Sequence, residues 1–153
     1  MTDDDTGTDL DWLLGNLVAA VPGATSALLL SADGLPAARH GLDDEYADKL
    51  AAMASGMCSI ARNIGRVFSG SGLLRQIVTE LDGLILFVSA AGSNSVLAVL
   101  TTRDADPGMV GHEMTQMVKS VAPFLSSQPR TPGLITGQPT AELPQRLPPA
   151  APG

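Results

Sequence analysis

Cys58, His40 and His112 are the chain's only cysteine and histidines, and they are the residue types that hold borderline metal ions. A protein-built zinc site needs such ligands at close spacing on one or two elements. Here they fall on three separate predicted elements, so the sequence predicts no metal site. Cys58 reads instead as a buried, inert thiol. The stretch "FSGSGLLR" at 68–75 carries glycines like a phosphate loop. It lacks the Lys-Ser/Thr pair that would meet phosphate and magnesium, and it precedes a predicted strand where a helix is needed. Its glycines read as a helix stop. Asp33 and Asp82 resemble an acid–base pair of carboxylates, but each is the first residue of an Asp-Gly turn, which accounts for it. There is no G-x-S-x-G elbow, and no Ser, His and carboxylate fall into a recognisable triad. The sequence predicts no enzyme, no catalytic residue and no cofactor.

Composition excludes further classes. The net charge is −7 and aromatic residues make up 3% of the chain. With no basic cluster to neutralise phosphates, neither nucleic acid nor an anionic membrane surface is an expected partner. A single cysteine permits no internal disulfide and fits a reducing compartment. The N-terminus, "MTDDDTGTDLDW", is acidic where a secretory signal is basic, and the apolar run "LILFVSAA" is too short to span a bilayer. The expected location is the cytoplasm.

The elements follow from periodicity and punctuation. Residues 1–8 read as a disordered acidic start, with a capping box at Thr8-x-x-Asp11. Leu10, Leu13, Leu14, Leu17, Val18 and Val21 repeat at helical spacing until Pro22-Gly23. Strands are predicted over Thr25–Ser31 and Leu35–His40, joined at Asp33-Gly34. Asp43-Asp44-Glu45 opens a long helix that runs to about Phe68. Three strands follow, "LLRQIVTEL", "LILFVSA" and "VLAVLTT", the first two joined at Asp82-Gly83. Asp106-Pro107 starts a last helix with the stripe Val110, Met114, Met117 and Val121. The order is α-β-β-α-β-β-β-α. Short links between strands make the sheet antiparallel and the class α+β. The domain is expected over 9–128. Residues 129–153, rich in proline, are expected to be disordered.

The long helix is apolar over about 200° of its circumference, about twice what covering one sheet requires. Tyr46, Leu50, Met53, Met57, Ile60, Ile64 and Phe68 form a stripe of large residues. Ala47, Ala51, Ala54, Cys58, Ala61 and Gly65 form a stripe of small ones. The expectation is that the large stripe covers the sheet and the small stripe forms a homodimer interface. Arg62 and Arg66 lie one turn apart on the polar side.

At this point the residues resemble a known family. "VPGATSALLLSADGLPAA", then an Ala/Met-rich helix, then "GLLRQIVTELDGLILFVSAAGSNSVLAVLTT", is similar to the Roadblock/dynein light chain family, closest to the bacterial members of actinobacterial conservons. The resemblance covers about Leu10 to Leu125. It implies a profilin-like or longin-like domain with a five-stranded antiparallel sheet flanked by helices. It also implies homodimers built through the long helix and the third strand. The implied role is regulation or scaffolding of a Ras-like small GTPase, with GTPase activation in some bacterial members. A sensor-kinase-like membrane protein is an implied further partner. Arg62 and Arg66 are then expected to contact the GTPase. A small-ligand sensor of related sheet topology and a pure structural adaptor are the alternatives.

Overall fold

The structure, a computed structural model, describes residues 2–126. The elements are α1 (Thr2–Ala20), β1 (Ala24–Ser31), β2 (Pro36–His40), α2 (Asp44–Ser69), β3 (Gln76–Leu81), β4 (Leu84–Ala90), β5 (Ser95–Thr101) and α3 (Pro107–Ser126). This is the expected order. The predicted tail, 129–153, lies outside the described residues. Residues up to Pro123 form one compact unit, and a second begins at Phe124.

Two expectations at the N-terminus are corrected. Residues 2–8 are helical, since α1 begins at Thr2. Asp11 is not part of a capping box either. Its Oδ1 accepts a hydrogen bond from the backbone N–H of Arg39 on β2, at 2.9 Å.

The five strands form one antiparallel sheet in the order β2-β1-β5-β4-β3. The inner strands carry the near-continuous apolar runs Ala27–Leu30, Ile85–Val88 and Val96–Val99, because both of their faces are covered. Leu81 pairs with Leu84 across Asp82-Gly83, with Gly83 at φ 99°. This is the tight hairpin the sequence announces. The earlier hairpin is looser. Its second strand starts at Pro36, since proline has no N–H to extend the ladder, and the register with β1 slips between Leu29 and Leu30.

Alternation sends Leu28, Leu30, Leu86, Val88, Val96 and Ala98 to one face of the sheet, where they meet α2. The opposite face carries Ala27, Leu29, Phe87, Leu97 and Val99, all buried, and α1 packs along β1 and β2. Within α3, the stripe Val110, Met114, Met117 and Val121 is buried as predicted.

The long helix has well-defined ends. The Asp43 side chain accepts from the N–H of Tyr46 at 2.8 Å, and Gly70 closes the C-terminus at φ 76° with its N–H on the Gly65 carbonyl. The glycines of "SGSG" are therefore a helix stop.

Between these ends the helix turns an unexpected side to the sheet. Ala47, Ala51 and Ala54 are fully buried there, with Leu50 and Cys58. The expectation that this small stripe faces a second subunit is wrong. The sheet face is already filled by leucines and valines, and only small side chains let a helix come down close onto it. Burial pushes the Cys58 thiol above its ordinary pKa, and the positive charge of Arg62 opposes that rise.

Two outcomes follow. Ala54→Arg places a guanidinium where the helix meets the sheet, and urea unfolding is expected to show a loss on the order of 3–5 kcal/mol. Ala52→Arg, on the exposed side of the same turn, is expected to stay within about 0.5 kcal/mol. For Cys58, the folded state keeps its proton to higher pH than the unfolded state does. Above the ordinary thiol pKa, about 8.5, the unfolded state binds fewer protons, so stability falls as pH rises. Unfolding curves across that range should show a decline that Cys58→Ala reduces.

Candidate interaction surface

Because the small stripe is used on the sheet, most of the large stripe is left outside, with Leu50 buried and Met57 half-buried. Tyr46, Met53, Ile60, Ile64, Val67 and Phe68 each keep more than half of their surface exposed, up to 83% for Phe68. Their spacing is regular. Tyr46, Met53, Ile60 and Val67 recur every seven residues, with Leu50, Met57 and Ile64 between them. That alternation of three and four is the heptad seam by which one helix packs against another. Sequence reasoning found these residues, apart from Val67, but gave them to the sheet. The signal available was this 3–4 spacing, which is the pattern of helix-on-helix packing.

The seam does not stand alone. Met57 packs partly against the core beneath α2, as do Leu74, just before β3, and Ile77 on β3. Strand β3 is an edge of the sheet and pairs only with β4. Val78 and Leu81 on this strand are about half exposed. Beside the exposed seam of α2, the molecule therefore has a second open feature: among the described residues the outer N–H and C=O groups of β3 have no ladder partner.

Of the remaining two members of the predicted dimer stripe, Gly65 is explained within the chain. Ala61 is half-buried. Gly65 is small because the carbonyl oxygen of Ser71 comes so close that any Cβ would overlap it. The chain turns back over the helix end there, with the Ser71 N–H on the Gly65 carbonyl at 3.3 Å.

Arg62 and Arg66 lie on the other flank of α2, about 160° to 200° from Tyr46 at 100° per residue. They are therefore not beside the apolar seam. Arg62 is half-buried near Cys58, and Arg66 is exposed with its side chain against Gly72. Among the described residues the ion pairs are Arg39–Asp44 and Lys49–Glu45, so neither arginine is in one. On this flank Ser55 Oγ donates to the Ala32 carbonyl at 3.0 Å, which ties α2 to the β1–β2 turn holding Asp33.

The other residues singled out for chemistry stay apart. His40, Cys58 and His112 sit on β2, α2 and α3. Among the described residues no three His, Cys, Asp or Glu side chains gather in a way that could hold a metal ion. Asp33 and Asp82 belong to separate turns, between β1 and β2 and between β3 and β4. No described helix is long and apolar enough to cross a membrane. A cleft of about 170 Å³ lined by Asp11 and Pro36–Arg39 is smaller than the 300–1,000 Å³ usual for a small-molecule site.

Comparison with known proteins agrees with this architecture. The family model for the Roadblock/LC7 domain matches residues 10–101. A Roadblock/LC7 domain from Streptomyces avermitilis is 52% identical, covering 76% of this chain and 98% of that one, with a TM-score of 0.75. MglB of Myxococcus xanthus is 16% identical, covering 81% and 92%, with a TM-score of 0.72. Profilin IB of Acanthamoeba castellanii is 16% identical, covering 77% and 97%, with a TM-score of 0.51. The last two likenesses concern the fold alone. No curated protein matches the chain. With this element order, this sheet and the family model over most of the folded unit, the chain belongs to the Roadblock/LC7 domain family.

Proposed function

We propose that this protein is a homodimeric, non-enzymatic regulator or scaffold of a Ras-like small GTPase, working in the cytoplasm. The observation that carries the dimer is the exposed apolar seam of α2, in a molecule that also leaves the β3 edge open. An apolar stripe of this length on a free surface marks an interface. Its spacing is self-complementary. Turned antiparallel about the level of Ser55, the seam sets Tyr46 opposite Ile64 and Met53 opposite Met57 of a second copy. A two-fold interface requires that kind of match. The β3 edges would meet in the same assembly and join two sheets into one. The small stripe has no part in this contact.

The GTPase reading rests on family membership and on the roles the resemblance implies, including GTPase activation by some bacterial members. A sensor-kinase-like membrane protein belongs to the same implied operon. Arg62 and Arg66 supply a positive site on an acidic protein, suited to carboxylates on a partner. They face away from the seam, so dimerisation leaves both pairs free. Their role would be to bind and orient the partner.

Light scattering at micromolar concentration is expected to give twice the 15.7 kDa chain mass. Ile60→Glu with Ile64→Glu should yield a folded monomer, because both side chains are exposed in the single chain and covered only in the dimer. A monomeric wild type would end this reading. Arg62→Glu with Arg66→Glu should remain a dimer and bind the GTPase of its operon more weakly, by about 1–3 kcal/mol in a titration. Unchanged affinity would place the contact elsewhere. Retained binding with hydrolysis slowed by about 10³ or more would mean a catalytic arginine.

A further inference from the structure

The sheet has two edges, and the chain treats them differently. β3 is left open, whereas β2 is guarded at two points. It begins at Pro36, which has no N–H to offer a neighbour. The N–H of Arg39, whose register partner on β1 is Leu28, points to α1 and donates to Asp11 Oδ1 at 2.9 Å. The Arg39 guanidinium is in turn neutralised by Asp44 at the start of α2. Helix α1 lies close along this strand. A Cβ added at Gly15, one turn beyond Asp11, would stand 3.2 Å from Nδ1 of His40. The cleft between them is lined by Asp11 and Pro36–Arg39, so Asp11 stands where an added strand would lie.

We propose that Asp11 is the gatekeeper of the β2 edge: its carboxylate occupies the outward N–H of Arg39 and prevents a second copy of this chain from pairing its own β2 there. The excluded occupant is a second copy because β2 against β2 is an isologous match, the same strand on both sides. The strand itself offers little resistance. Ala37 is exposed, small and uncharged, and the charge of Arg39 is cancelled by Asp44. Natural edges are usually protected by a lysine or another inward charge, and here the protection is a hydrogen-bond acceptor from the neighbouring helix, which occupies the main-chain donor itself. A chain open at both β2 and β3 could extend its sheet without closure. Sealing one edge confines sheet growth to the other. This inference is independent of the α2 seam, since it concerns the opposite edge.

The test compares the mass of the full chain with that of Asp11→Ala, Asp11→Asn and Asp11→Ala/Ala37→Lys, by light scattering over a concentration series. Asp11→Ala is expected to reach at least double the wild-type mass. Asp11→Asn, which retains an Oδ1 acceptor, is expected to match wild type. Adding Ala37→Lys should return the Asp11→Ala species to wild-type mass, because a lysine on a strand edge opposes pairing. Amide exchange in the wild-type protein needs no variant to fold: the Arg39 N–H should be protected despite lying on an edge. Wild-type mass for a folded Asp11→Ala protein would overturn the proposal. So would free exchange at Arg39, or assemblies that Ala37→Lys leaves intact.

Discussion

The contact between α2 and the sheet governs the rest of the molecule. Leu28, Leu30, Leu86, Val88 and Val96 fill one sheet face, and the helix meets them with Ala47, Ala51, Ala54 and Cys58. Interiors pack at crystal-like density, so a surface of large side chains accepts a helix only through small ones. A larger residue at Ala54 would lift α2 from the sheet or force rotamers out of their wells. The rotation of the helix about its own axis is set by this match, and everything on its other sides takes its place accordingly.

That rotation determines what the surface can do. Once the alanines face inward, the large apolar residues of the same helix must face outward, along a seam about a third of a turn away. A monomer that leaves Ile60, Ile64, Val67 and Phe68 in water carries an apolar surface of the size that marks association. The same rotation turns Arg62 and Arg66 to the flank near the β1–β2 turn. The exposed apolar residues and the two arginines thereby occupy separate sides of one helix.

The edges of the sheet complete this division. Adding a strand to a sheet is favoured wherever main-chain groups lack partners. At β2, Pro36 has no N–H to offer and the Arg39 N–H is taken by the Asp11 carboxylate, whereas among the described residues β3 pairs on one side alone. The closed edge lies against α1, and the open edge is β3.

Sequence alone determined the elements, their order and the antiparallel class. The reason is that these depend on local signals: Asp43 and Asp106 before helices, Gly70 after one, and Gly83 in a two-residue turn. It also showed that the long helix has more apolar surface than one sheet needs, since that is a property of a single helix and its period. The assignment of its two apolar stripes was decided only in the tertiary structure. Periodicity places residues on faces of a helix but does not say which face an already filled sheet will accept. Gly65 and Asp11 were illegible for the same reason. The partners that explain them, the Ser71 carbonyl and the Arg39 N–H, are main-chain groups. The fold brings them near, and no side-chain pattern announces a main-chain group.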